Sequence, residues 1–220
     1  MKYDVVMAEK KFPVNGDWNG EVWSRIEPLT LTRFMGTKPE HMPKTQAKVT
    51  YDDHAIYVIF RVEDRYVRAV AEKHQDSVCR DSCVEFFFTP GDNPSAGYFN
   101  LEVNCGGTIL LHHQTCRGSA DRKEINIEDC ERIVLHHDLP RIVDPEISDP
   151  VTWTVACALP FDMLEKYASV VRPAPGTNWR ANFYKCADQT SHPHWLTWVL
   201  VDLPRPDFHQ PEYFGTLVFV

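Results

Sequence analysis

Carboxylate, amide and guanidinium side chains recur at every second position in three segments of this 220-residue chain, a spacing suited to holding a hydroxyl-rich molecule. Side chains along a strand alternate between two faces. In Cys83–Thr89 this places Val84, Phe86 and Phe88 on one face and Cys83, Glu85 and Phe87 on the other. In Tyr98–Asn104 it parts Phe99, Leu101 and Val103 from Asn100, Glu102 and Asn104. In Asn178–Lys185 it parts Trp179, Ala181 and Phe183 from Arg180, Asn182 and Tyr184. The first face of each segment is a core face. The second carries short or planar groups with fixed donor and acceptor directions, unlike the Lys, Thr and Ser of an ordinary solvated strand. Set side by side, such strands make a polar floor for sugar hydroxyls. The same pattern also fits a sheet face covered by a loop, because buried polar groups pair among themselves.

Trp195 and Trp198 would supply the apolar half of a saccharide site, or else one packs on the core and the other caps a loop edge. Two tryptophans three positions apart cannot both point into the core from one regular strand, so one is expected to face outward. An exposed indole is a stacking platform for the apolar C–H face of a sugar ring. Other chemistries remain open. Glu85 and Glu102 lie on matching faces of neighbouring segments, and a glycoside hydrolase needs two acids roughly 5 to 9.5 Å apart across the sugar. Seven cysteines and the pairs His112-His113, His136-His137 and His192-Pro193-His194 raise zinc or a nucleophilic Cys–His pair. No CxxC or HExxH spacing supports zinc. Cys83 and Cys157 sit inside strand segments, where a thiol behaves as a small hydrophobe. A protein-interaction module would show a large apolar patch across Trp195 and Trp198.

The elements that must position these residues are short strands separated by turn formers. Lys48–Tyr51, the turn Asp52-Asp53 and Ala55–Val62 read as a hairpin. Further strands are expected at Cys83–Thr89, Tyr98–Asn104, Thr108–Leu111, Thr152–Leu159, Asn178–Lys185 and Phe214–Val220. Helical signal is confined to Phe161–Tyr167 and a turn within Ser77–Cys83, and the charged stretch Asp138–Pro150 reads as a loop. The expected fold is all-β: one antiparallel β-sandwich of immunoglobulin or jelly-roll type over residues 1–220, with one or two short helices. A hydrophobic content of 43% and a charged content of 25% describe an ordinary globular chain rather than a disordered or fibrous one. A net charge of -8 without a basic stripe argues against nucleic acid as a partner. No apolar run is long enough for a membrane span. Met1–Lys11 lacks the apolar stretch of a signal peptide, so a cytoplasmic location with reduced thiols is expected, although a trimmed secreted form reads the same way.

The run Asp81-Ser82-Cys83-Val84-Glu85-Phe86-Phe87-Phe88 resembles a characteristic strand of the family 9 carbohydrate-binding modules. Tyr98–Asn104 with Gly107, Trp153–Phe161, Trp179–Lys185 and Trp195–Trp198 are similar to the strands that follow it there. So are the opening Asn15-Gly16-Asp17-Trp18 and the ending Pro206–Leu217, so the resemblance covers nearly the whole chain. It implies a β-sandwich that binds a mono- or oligosaccharide without cleaving it, often at a chain end, and that often holds structural calcium. It also implies a sugar clamped between two tryptophans. Glu85 matches the ligand-contacting glutamate, and Trp198, with Trp195 as the other candidate, matches the later tryptophan of the clamp. The earlier one is expected six positions before Glu85, where this chain has Cys79. The expected site is therefore Glu85, Asn100, Glu102, Asn104, Arg180 and Asn182, edged by Trp198 or Trp195. Arg180 and Glu85 would hold hydroxyls through charge-assisted hydrogen bonds. Calcium needs six to eight oxygen donors, and Asp17, Glu63, Asp64, Asp76 and Asp81 are the carboxylates on offer.

Overall fold

The β-branched and aromatic runs form strands that pair almost entirely antiparallel in a computed structural model, which describes residues 1–9 and 12–220. Lys10 and Lys11, the end of the Met1–Lys11 stretch, lie outside the described residues. The strands are β1 (Lys2–Val5), β2 (Leu29–Thr30), β3 (Arg33–Phe34), β4 (Lys44–Tyr51), β5 (Ala55–Asp64), β6 (Val67–Ala69), β7 (Cys83–Thr89) and β8 (Tyr98–Asn104). They continue with β9 (Ile109–Gln114), β10 (Lys123–Glu124), β11 (Val134–His137), β12 (Val143–Ile147), β13 (Val151–Pro160), β14 (Asn178–Cys186), β15 (Trp195–Thr197) and β16 (Gly215–Phe219). The larger sheet runs β1-β16-β14-β7-β8-β9-β10, with β15 and β3 attached beside β14. The smaller runs β11-β13-β5-β4-β2, and β12 pairs with β6 apart from both. Among the described residues two helices of four residues each, α1 (Ile127–Cys130) and α2 (Phe161–Leu164), accompany the strands with a few single turns.

Alternation in the sequence becomes layering in space. Val84, Phe86, Phe88, Phe99, Leu101, Val103, Trp179, Ala181 and Phe183 all join one buried cluster between the sheets. From the smaller sheet they meet Val49, Val58, Phe60, Trp153 and Val155. Each fully buried side chain of this size is worth roughly 1.5–3 kcal/mol of apolar transfer, so this layer dominates stability. The hairpin turn is locally encoded: Asp52 Oδ1 accepts the backbone N–H groups of His54 at 2.8 Å and Ala55 at 2.9 Å.

The stretch Asp138–Pro150 is not all loop. Val143–Ile147 pairs with Val67–Ala69 as β12 against β6. A proline and two acidic residues hide this strand from sequence reading, and they are tolerated because it pairs with one short neighbour only. The expected helix over Phe161–Tyr167 stops at Leu164 and continues as turns.

Both outer faces are partly covered. Trp23 and Ile26 seal Ile59 and Ala156 on the smaller sheet. On the larger sheet Met35, Phe208 and Phe214 pack over Phe87, Tyr98 and Tyr184. The C-terminal segment therefore lies across the polar face.

One end of the inter-sheet layer is charged. Lys185 follows the core parity of β14 and is fully buried, with its Nζ 3.6 Å from Asp64 Oδ2. The ammonium also donates to the Cys186 carbonyl at 3.0 Å and to His194 Nε2 at 2.8 Å. His194 Nδ1 lies 2.9 Å from the His192 carbonyl and donates to it, leaving Nε2 as the acceptor of a neutral ring. Burial and the neighbouring Lys185 push the His194 pKa down to about 3. Asp64 also accepts from His41 at 2.7 Å, the Arg65 amide at 2.8 Å and the Trp153 indole at 3.3 Å. Burial opposes its charge, but Lys185 and His41 prevail and hold its carboxyl down at about 2.

Candidate functional site

The polar face divides into a closed half and an open half. β14 pairs with β16 through Asn178–Ala181 and with β15 through Tyr184–Cys186, so its edge changes partner at Asn182. Asn182 bridges that break. Its Oδ1 accepts the amides of Val199 and Phe183, both at 2.9 Å, and its Nδ2 donates to the Val199 carbonyl at 3.1 Å. Arg180 donates to the Phe214 carbonyl under the C-terminal segment. Asn104 fastens the β8–β9 turn, donating to Asp81 Oδ2 at 2.8 Å and accepting the Thr108 amide at 2.8 Å. These three residues are structural brackets and do not line the cleft.

The open half is a small cleft. Glu85 and Glu102 line it together with Cys79, Cys186, Asp188, Trp195, Arg117 and the loop Pro206–His209. Glu85 and Glu102 stand directly opposite each other on β7 and β8. Asn100 reaches the site through Glu102, donating to its Oε1 at 2.9 Å. Gln114 donates to Asn100 Oδ1 at 3.3 Å and to His209 Nδ1 at 3.1 Å, and the Tyr98 hydroxyl meets the same ring nitrogen at 2.9 Å. With Nδ1 accepting, the His209 proton sits on Nε2. Burial, then Arg117, pushes the His209 pKa down to about 4, so the ring is a neutral donor at pH 7.

The two tryptophans part company as the alternation requires, but not in the expected sense. Trp198 is the core residue, 3% exposed and edge-on to Phe183 at 5.7 Å. Trp195 is half-buried, lines the cleft and is fixed by a 2.7 Å hydrogen bond from its Nε1 to Asp188 Oδ1. β15 ends at Thr197, but the Trp198 amide bonds the Phe183 carbonyl at 3.0 Å and continues the register one residue further, which leaves Trp198 on the core side with Leu196. With Trp198 inside, the pair forms no exposed apolar patch of the kind a protein-interaction module needs. Cys79 lines the same cleft, so the position expected to hold the earlier clamp tryptophan does face the site.

The electrostatics suit neutral hydroxyls. Glu85 and Glu102 are 2% and 5% exposed. Burial, then the facing Glu102, drives the Glu85 carboxyl well above its ordinary range, and burial pushes Glu102 to about 7. Asp188 is raised too, chiefly by burial. Near neutral pH the glutamate pair shares protons, so it offers both a donor and an acceptor. Arg117, the one cation among the described residues that line the cleft, is paired with Asp207 at 3.0 Å. Sequence reading missed Asp188, Arg117, Asp207 and His209, which come from loops without periodicity.

The raised Glu102 pKa carries a stability consequence. The folded state binds this proton more tightly than the unfolded chain, so the contribution is present below pH 4.5 and is lost as pH rises toward 7. The loss is on the order of 2–3 kcal/mol. Glu102→Gln is therefore expected to stabilise the protein by that order at pH 8 and by little at pH 4, read from urea unfolding at both values. An equal effect at the two pH values would contradict a desolvated carboxyl.

The five carboxylates considered for calcium do not gather into one oxygen cage. Asp17 and Asp76 accept amides within their own turns, and Glu63 bridges Lys44 and Arg61. Asp64 is neutralised by Lys185, and Asp81 is held by Asn104 and the Ala71 amide.

The chain is similar over its whole length to a candidate carbohydrate-binding protein of Bacteroides uniformis ATCC 8492, with 26% identity, 98% of that chain covered and a TM-score of 0.83. Two structures of a family 9 carbohydrate-binding module from Caldicellulosiruptor kristjanssonii, one with cellotriose and one with glucose, share the fold at 13% identity. Their TM-scores are 0.66 and 0.65, with all of this chain and 93% and 96% of theirs covered. Among curated proteins no sequence matches. The sequence profile of carbohydrate-binding family 9 matches residues 24–219. With nearly the whole chain inside that match, the protein belongs to carbohydrate-binding family 9.

Proposed function

We propose that this family 9 module binds a monosaccharide, or the terminal residue of an oligosaccharide, in the cleft between Trp195 and the Glu85/Glu102 floor. The observation that carries the reading is the convergence of four buried or half-buried carboxyls and one indole on a single small cleft. Trp195 stacks on the apolar face of the ring, with its orientation fixed by Asp188. Glu85, Glu102 and the His209 Nε2–H take the hydroxyls, and Asn100 and Gln114 hold Glu102 and His209 in place. Binding is not followed by cleavage. Glu85 and Glu102 lie side by side on one floor, whereas glycosidic acids flank the bond from two sides.

The ligands seen in the Caldicellulosiruptor modules make glucose and β-linked glucose oligomers the first to test. Calorimetry against these and a panel of other mono- and disaccharides is expected to show saturable binding. Trp195→Ala is expected to weaken it at least thirtyfold, about 2 kcal/mol, without lowering the melting temperature by more than a few degrees. No heat from any sugar, or an unchanged affinity in the variant, would refute the assignment.

A further inference from the structure

We propose that Cys83, Cys186 and Glu85 form a binding site for a thiophilic divalent metal ion of the Zn²⁺ class in the floor of the cleft. Cys83 and Cys186 face each other in the β7–β14 register, and Glu85 follows Cys83 by two positions, so all three project from the same face. One ligand atom from each lies within 4.8 Å of the others, and all three residues are buried. The Cys186 thiol already donates to Glu85 Oε1 at 3.1 Å. The site is rigid, because β7 is paired along its length to β14 on one side and β8 on the other. Ligands held on central strands keep their geometry better than ligands on loops.

The donor set selects the metal. Two sulfurs and one carboxylate match zinc, which takes Cys and Asp/Glu ligands in tetrahedral sites. Calcium and magnesium prefer all-oxygen shells. Three protein ligands leave a fourth position, and Glu85 and Cys186 both line the open cleft, so that position faces solvent. Cys79 and Asp188 stand beside it. Binding forms two metal–sulfur bonds and one metal–oxygen bond, and the two thiol protons, together with any proton that the Glu85 carboxyl holds, leave to solvent. Cys116 is exposed and lies outside the cleft lining.

This site shares Glu85 with the sugar reading but does not depend on it. The test is titration of the whole, chelator-stripped and reduced protein with Co²⁺ in the absence of sugar. One equivalent is expected to produce a thiolate-to-cobalt charge-transfer band with tetrahedral d–d absorption, both bleached by Zn²⁺. Cys83→Ser and Cys186→Ala are each expected to lose the charge-transfer band, while Cys116→Ser keeps it. Thermal melts of the variants identify any that fail to fold, and two independent ligand variants guard against that outcome. A spectrum without charge transfer, or one that persists in folded Cys83→Ser and Cys186→Ala, would overturn the site. If the metal binds, one equivalent of Zn²⁺ is expected to weaken any sugar that uses Glu85 at least tenfold. If no sugar binds, the cobalt spectrum stands unchanged.

Discussion

Trp198→Ala is expected to cost about 3–5 kcal/mol of folding stability, read by urea unfolding, because it empties a packed position in the core. The indole is 3% exposed and lies edge-on to Phe183. Its other edge is set against Gly215: a Cβ there would come within 2.5 Å of Trp198 Cζ3. The ring is thus enclosed by a strand residue on one side and a backbone on the other, and little can collapse into the space it leaves. Trp195→Ala removes an indole of the same size from a half-buried site and is expected to cost measurably less stability. The two variants together separate core from site. Equal losses of stability, or a Trp198→Ala protein that unfolds like the parent, would contradict this division.

Asp64→Ala is expected to be comparably damaging, at about 3–5 kcal/mol, because it strands the Lys185 ammonium in the core. Lys185 is fully buried, and its remaining partners are a carbonyl and a neutral imidazole. The alanine also orphans the Trp153 indole N–H and His41. Lys185→Met in the same chain removes the stranded charge, so the double variant is expected to be more stable than Asp64→Ala alone. Urea unfolding of the wild type, both single variants and the double variant gives the coupling. Additive losses would show that the two groups do not interact. Acid acts on the same network. The unfolded chain protonates His194 near pH 6.5, whereas the folded ring resists down to about 3, so its contribution to stability is present above 6.5 and is lost as pH falls through that window. Asp64, held at about 2, adds a further loss below its ordinary value of 3.8.

The sequence by itself determined the layers. Period-two alternation assigned the core faces of β7, β8 and β14, because a strand has only two sides and the apolar one packs between the sheets. It likewise set Glu85 and Glu102 on the opposite face, where they floor the cleft. Alternation reports which side a residue takes and nothing about what covers that side. Only the tertiary structure decided that Arg180 is taken up by the Phe214 carbonyl, Asn182 by Val199 and Asn104 by Asp81, so that these three act as brackets. It alone decided between the tryptophans, since alternation parts them without saying which of the two meets the core. It alone revealed why a lysine holds a core position in β14. Lys185 breaks the apolar pattern locally, and the Asp64 that compensates it comes from the other sheet, 121 residues earlier in the chain. Strand parity is a local property, whereas burial and charge compensation are set by segments distant in sequence.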